Sequence, residues 1–375
     1  MLAVLRSSGI HLCRQRMSSM AANATGGKQS ADVLLELVGR KGIITLNRPK
    51  ALNALSLSMI RLMEPEVRRW HDGDLADLVV LRACEGKAFC AGGDVKAIAA
   101  VKGNNDAFFR EEYVLDHLLA KMRPTLVSLI DGIVMGGGCG ISFHGRFSVV
   151  SDKALFAMPE TAIGLFPDVG ACHFLARLKH NLGVFFGLTG TRLKGEDILH
   201  AGLVSHFVPS EEIKALEKDI MELSDCSEVT IEKVISGYQP TLGKFSLAPY
   251  LSEIENCFGG ATVEEILTRL KETGSEFSKK QLDILSKMAP LSMKITLKAI
   301  HAARSMSLAE VLQMDMRLGT RFLRDNDFYE GVNALLVRKT NDPKWKPATL
   351  EQCSQEMVNE YFEKLPPAQE LKLSA

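Results

Sequence analysis

Two glycine loops constrain this chain more than any other feature of its sequence. Ala91-Gly92-Gly93-Asp94 and Gly132-Ile-Val-Met-Gly136-Gly137-Gly138 each follow an apolar segment of strand character and precede a helical one. Glycine at such a junction lets backbone N–H groups turn outward and approach a ligand closely. Two donors from separate loops can hold one oxygen between them, which is the arrangement of an oxyanion hole. Taken singly, each loop reads more readily as a tight turn than as a site. Neither fits the G-x-G-x-x-G dinucleotide pattern or the phosphate loop that ends in GK[ST].

The segments around these loops alternate in period. Val33–Val38 and Ile43–Leu46 read as strands joined by Gly39-Arg-Lys-Gly42, a hairpin signal. Ser56 caps a helix running to about Trp70, and Leu78–Leu81 is a buried strand. A helix near 106–122 leads to the strand Thr125–Ile130, and Phe147–Val150 and Ala154–Ala157 are two more strands. This alternation argues for an α/β layer architecture over residues 32–210. From 211 to 346 nearly every window has helical periodicity, and 347–375 is a polar C-terminal tail with Pro366-Pro367 near its end.

Composition excludes several classes. Lys plus Arg and Asp plus Glu are both 45, so a nucleic-acid binder with its usual basic excess is not expected. The longest apolar stretches are broken by Asp131 or by glycine and fall short of the ~20 residues that span a bilayer. The eight cysteines contain no CxxC pair and no histidine at metal-ligand spacing, so neither a disulfide scaffold nor a metal site is expected. Residues 1–31 hold Arg6, Arg14, Arg16, Lys28 and five serines, with no acid before Asp32. That is the composition of a mitochondrial transit peptide.

Carboxylates supply the candidate chemistry. Glu160 and Asp168 lie on an otherwise apolar connection, Met158-Pro-Glu160-Thr-Ala-Ile-Gly164-Leu-Phe-Pro-Asp168. Desolvation there raises a carboxyl pKa toward the range useful for acid–base work. The plainer reading makes Asp168 the N-cap of a helix from Val169 to Leu178 and Glu160 an exposed strand end. Glu112 shares one helix face with Phe108, Leu115, Leu119 and Met122, but Glu111 borders the same face and periodicity does not choose between them. Cys90 has no histidine nearby in sequence to activate it. His144, His173 and His206 read as isolated.

Four strings together resemble the crotonase (enoyl-CoA hydratase/isomerase) superfamily: Ile43-Ile-Thr-Leu-Asn-Arg-Pro-Lys-Ala-Leu-Asn-Ala-Leu55, Lys87-Ala-Phe-Cys-Ala-Gly-Gly-Asp94, Asp131-Gly-Ile-Val-Met-Gly-Gly-Gly-Cys139 and Phe156-Ala-Met-Pro-Glu160. The segment from Pro159 to Asp168 and the long helical C-terminal part narrow the likeness to the superfamily's 3-hydroxyacyl-CoA thioester hydrolases. The resemblance implies a spiral of repeated ββα units with a helical C-terminal region, and oxyanion donors at the N–H groups of Gly93 and Gly137. It implies catalytic roles for Glu160 and Asp168, with Glu112, Gly137, Glu160 and Asp168 lining the substrate site. Hydratases commonly carry a second glutamate where this chain has Gly140, which counts against water addition to a double bond. A non-enzymatic scaffold on the same fold would be expected to have lost Glu160 and Asp168. The expected partner is a small acyl-CoA, with Lys50 and Lys96 as candidates for its phosphates. No cofactor or metal is expected, since coenzyme A enters as part of the substrate. The resemblance also admits a homo-oligomer and, with the N-terminal segment, a place in the mitochondrial matrix.

Overall fold

In the computed structural model, residues 31–101 and 106–373 are described. The segment read as a transit peptide lies, apart from Ala31, outside them. Strands β1 (Val33–Val38) and β2 (Lys41–Leu46) form the expected antiparallel hairpin. The chain then repeats one move three times. β3 (Leu78–Ala83), β5 (Thr125–Ile130) and β7 (Phe147–Val150) each bend into a short following strand, β4 (Ala88–Cys90), β6 (Ile133–Met135) and β8 (Leu155–Ala157). The long strands join one sheet in the order β1-β2-β3-β5-β7-β10, where β10 is His206–Phe207. The short ones form a second sheet, β4-β6-β8-β9, where β9 is Leu193–Lys194. Pairing along each series β3-β5-β7 and β4-β6-β8 is parallel, so every unit advances the spiral by one strand.

Helices follow the short strands. They are α1 (Leu57–Asp72) after the hairpin, α2 (Val95–Ala100) and α3 (Ala107–Lys121) after β4, and α4 (Gly137–Phe143) after β6. After β8 come α5 (Ala171–Leu175), α6 (Leu182–Thr189) and α7 (Glu196–His200). Among the long strands, β3, β5 and β7 are mostly apolar because both their faces are covered. Val79, Leu81 and Ile130 face the main core, while Leu78, Val80, Val127, Leu129, Phe147 and Val149 pack under α8 (Ile213–Glu222) and α9 (Glu228–Tyr238). β4 and β6 lie in segments that read as loops, being only three residues long and embedded among glycines.

The helical region continues through α10 (Leu251–Cys257), α11 (Val263–Thr273), α12 (Glu276–Leu285), α13 (Pro290–Ala303), α14 (Leu308–Phe322) and α15 (Asn326–Val332). Residues from Asp32 onward form one compact unit, with α13 on α5 and α6 and α14 on α3. The change of character near residue 210 is therefore a change of secondary structure within that unit. No helix among the described residues is long and apolar enough to cross a membrane.

The last residues are more than a polar tail. They include α16 (Gln355–Phe362), and Val358, Tyr361, Leu365 and Leu371 are buried. The Tyr361 ring meets Phe322 edge-on with centroids 4.8 Å apart. Glu370 pairs with Arg317 at 2.9 Å, and Arg110 donates to the carbonyl of Gln369 at 2.8 Å. These few anchors are spread through polar sequence, which is why composition conceals them. Burying each large apolar side chain stabilises by roughly 1.5–3 kcal/mol. Deleting residues 347–375 is therefore expected to lower the melting temperature markedly, as differential scanning calorimetry would show.

Candidate active site

The string Asn47–Leu55 builds a clamp for the first glycine loop. Asn53, left-handed at φ 53°, accepts from Arg48 N–H at 2.7 Å and donates to the Ala88 carbonyl at 2.9 Å. Leu55 N–H donates to Gly92 O and Asp94 N–H donates to Leu55 O, both at 2.8 Å. In this parallel bridge the N–H of Gly93 points away from Leu55. The Asp94 side chain caps α2 at Ala97 N and takes a 2.9 Å ion pair from Arg48.

The second loop meets the first. Gly136 has φ 47°, and Gly137 opens α4. A Cβ on Gly137 would stand 3.3 Å from Gly93 N and collide with the Glu112 carboxylate. One on Gly136 would stand 2.8 Å from Glu160 Oε1. Among the described residues, no acceptor pairs with the N–H of Gly93 or Gly137. Two free donors and two carboxylates thus converge on one place, where glycine alone leaves room.

Five carboxylates are buried around it: Glu112, Asp116, Glu160, Asp168 and Asp315. Glu112 and Asp116 are one turn apart on α3. Glu111 points outward onto Arg61, with both contacts at 2.7 Å, so the structure selects Glu112. Glu160 heads a 3-10 turn, Glu160–Ile163, and is buried rather than an exposed strand end. Its neighbour Thr161 anchors that turn, donating from Oγ1 to Leu188 O at 3.1 Å and accepting from Ala289 N at 3.0 Å.

Asp168 is not a helix cap. α5 begins at Ala171 after Gly170, and Asp168 instead accepts from the Tyr113 hydroxyl at 2.7 Å. Val169 (φ 55°) and Gly170 (φ 73°) form a tight turn closed by Ala171 N–H on Asp168 O at 2.8 Å. Two consecutive positive φ angles make it a type I′ turn, a geometry that favours Asn, Asp or Gly. A β-branched residue there costs on the order of 1–3 kcal/mol.

Burial raises the pKa of all five carboxyls. Glu112, Asp116, Glu160 and Asp315 are pushed well above the ordinary range by desolvation, and neighbouring carboxylates add to the effect. Asp168 rises to about 6, desolvation being opposed by the Tyr113 hydrogen bond. Among the described residues, no cation is among the groups acting on them. Among the described residues, Glu112 Oε1, Glu160 Oε2, Asp315 Oδ1 and both oxygens of Asp116 have no hydrogen-bond partner. Cys90, buried beneath the first loop, is pushed up to about 12 and stays a thiol.

Lys50 and Lys96 are exposed on the two segments flanking the Gly93 loop. His144 is not isolated: its Nε2 lies 2.8 Å from the Val169 carbonyl. Sequence reasoning also missed Tyr113, Asp116 and Asp315. Asp116 was within reach, since it follows Glu112 by one helical turn. Asp315 sits between two methionines with nothing local to mark it.

A family model described as enoyl-CoA hydratase/isomerase matches residues 41–362. The chain belongs to this family. Among curated relatives, "3-hydroxyisobutyryl-CoA hydrolase, mitochondrial" of Danio rerio is 45% identical over 93% of this chain and 94% of its own. The Homo sapiens protein of the same name is 46% identical over 89% of each. Among solved structures, a carnitinyl-CoA dehydratase from Mycobacterium thermoresistibile superposes with a TM-score of 0.84 at 33% identity, covering 92% of this chain and 99% of that one. An enoyl-CoA hydratase from Rhodobacter sphaeroides gives 0.81 at 34% identity, over 92% and 100%. The spiral is thus the crotonase fold, which hosts more than one reaction, and the site must distinguish them.

Position 140 bears on that distinction. A Cβ on Gly140 would lie 2.7 Å from Val169 Cβ and 2.9 and 3.0 Å from the two oxygens of Asp116. A glutamate has no room there, because the Asp116 carboxylate and the Val169 turn occupy the space.

The raised carboxyls set a pH dependence. A carboxyl whose pKa is higher folded than unfolded contributes stability present below its unfolded pKa and lost as pH climbs through the folded value. Asp116→Asn removes one such group. Its melting temperature is expected to exceed that of the wild type by more at pH 8 than at pH 5, measured by thermal denaturation across pH.

Proposed function

We propose that this chain hydrolyses the thioester of short-chain 3-hydroxyacyl-CoA, with 3-hydroxyisobutyryl-CoA as the substrate and 3-hydroxyisobutyrate and coenzyme A as products. That is a step of valine breakdown, and the mitochondrial matrix is its proposed place. The relatives' names support the activity. The Arg- and Ser-rich N-terminal segment and the word mitochondrial in those names support the location. The observation that carries the reading is the carboxylate of Glu160 against Gly136, beside the paired N–H groups of Gly93 and Gly137.

The thioester carbonyl oxygen sits between those two N–H groups, which stabilise its charge as the carbon becomes tetrahedral. Losing one such donor costs about 3 kcal/mol of transition-state stabilisation. Glu160 is the working carboxylate. By one route it attacks the carbonyl carbon and the C–S bond breaks; water then opens the mixed anhydride, releasing the acid. By the other it takes a proton from the attacking water and delivers it to the departing sulfur. Hydroxylamine present in rapid-quench experiments traps an acyl hydroxamate by the first route at a rate set by anhydride formation. Asp168, ionised and held by Tyr113, accepts a hydrogen bond from the substrate's 3-hydroxyl, and Glu112 borders the same pocket. Acyl groups lacking the hydroxyl leave Asp168 unpaired and are discriminated against.

The dehydratase and hydratase names of the two solved structures favour a second reading, chemistry at a carbon–carbon double bond. Thiol release from 3-hydroxyisobutyryl-CoA, with crotonyl-CoA as control, separates the two. We expect thiol release from the first, no loss of enoyl absorbance from the second, and a fall of about 10²–10⁴-fold in Glu160→Gln. Loss of crotonyl absorbance without thiol release would overturn the hydrolase reading.

Gly140→Glu tests the role of the missing glutamate. It is expected to lower the melting temperature, because overpacking and a buried charge cost at least ~1–3 kcal/mol. It is also expected to confer no hydration of crotonyl-CoA.

A further inference from the structure

The turn that carries Asp168 is gripped from two sides by residues that nothing above assigns to the reaction. Asp315, on α14, accepts the Gly170 N–H through Oδ2 at 2.7 Å. His144, at the C-terminal end of α4, meets the Val169 carbonyl at 2.8 Å. A carbonyl only accepts, so Nε2 carries the proton. Burial lowers the pKa of His144 to about 4, and the ring remains the neutral donor through the physiological range. The Asp315 grip is buried, Asp315 being wholly inaccessible, and the His144 grip is part-buried; a Cβ on Gly170 would stand 2.7 Å from Leu308 Cδ1 and 2.8 Å from His144 Nε2, so the turn is closely packed.

Both bonds grip one peptide unit, the one that joins Val169, a β-branched side chain at φ 55°, to Gly170. Such a conformation persists only where the surroundings over-determine it. Relaxing Val169 to negative φ rotates the peptide that follows Asp168 and carries that carboxylate off the Tyr113 hydroxyl.

We infer that Asp315 and His144 are positioning residues that hold the strained Asp168–Ala171 turn and thereby aim the Asp168 carboxylate. Neither needs to touch the substrate. The inference gives the helical C-terminal region a part in the reaction, because Asp315 reaches the turn from α14. It rests on the reading of Asp168 as the group that receives the substrate's 3-hydroxyl.

The experiment uses the full chain and compares Asp315→Asn, Asp315→Ala, His144→Leu, Asp168→Asn and the Asp168→Asn/Asp315→Ala double variant. Each is assayed by thiol release from 3-hydroxyisobutyryl-CoA and from isobutyryl-CoA, which lacks the hydroxyl. Asp315→Asn keeps an acceptor for Gly170 N–H and is expected to stay within roughly threefold of wild type. Asp315→Ala and His144→Leu are expected to lose roughly 10²-fold in kcat, with little change in KM and a reduced preference for the hydroxylated substrate. In the Asp168→Asn background, Asp315→Ala is expected to cost nothing further, because coupled residues are non-additive.

An equal loss in both backgrounds, or the same loss in Asp315→Asn, would overturn the inference by making Asp315 merely structural. A crystal structure of Asp315→Ala decides independently of activity: a turn still at positive φ with Asp168 on Tyr113 refutes the grip, and a relaxed turn supports it. If Asp168→Asn is as active and selective as wild type, the reading of Asp168 fails by itself, and that crystal structure still decides the grip.

Discussion

The close approach of two backbone segments, at Gly93 and Gly137, is the constraint on which the rest of this structure depends. Each lies just past the end of a three-residue strand, and those strands pair in parallel as neighbours in the smaller sheet. The clamp from Asn47 to Leu55 fixes the first loop from outside, consuming the polar groups of Gly92 and Asp94 so that the Gly93 N–H is left to face inward. At Gly136 a backbone of positive φ, 47°, turns the second loop toward it. A side chain at 136 or 137 would occupy the space used by Glu160 and Glu112. Donors and carboxylates therefore share one small volume because glycine occupies the positions between them.

That volume is electrostatically unusual. Burying one carboxylate without a partner is costly, and here Asp168 adds to the raised pKa of the other four, with no cation among the described residues acting on them. The arrangement is tolerable if the carboxyls that the reaction does not need ionised, Asp116 and Asp315 among them, are neutral. Asp168 is set apart by the Tyr113 phenol, which favours its ionised form. Environments that split the pKa values of like groups are how one pocket assigns different tasks to chemically similar carboxyls. Folding free energy is spent on this cluster, and the extensive core of the spiral and its helices carries the cost.

Much of this was legible in the sequence, and the parts that were not share a physical cause. The alternation of apolar strands and helices gave the layer architecture, and Glu160 stood out as a carboxylate on an apolar connection. Glu112 and Glu111 were indistinguishable because both border one helical face; only Arg61, fifty residues away in sequence, draws Glu111 outward. Asp168 resembled a helix cap because a valine gives no local warning of a left-handed turn. That conformation is imposed by α4 and α14, at a distance no window spans. Asp315 and His144 were invisible for the same reason, since each acts on a backbone atom of a segment far along the chain. Short strands β4 and β6 were lost among the glycines that make them useful.

The closing contacts of the chain have a consequence in time. Arg110, in the first turn of α3, donates to the carbonyl of Gln369, and Arg317 on α14 holds Glu370. α3 carries Glu112, Tyr113 and Asp116, and α14 carries Asp315. Both helices are thus fastened by residues that lie beyond every candidate site residue in the sequence. A ribosome delivers those residues only after every candidate site residue has already emerged. The buried carboxyls on α3 and α14 are therefore made ahead of the contacts that fasten the helices carrying them, and in the order of synthesis the support follows what it supports.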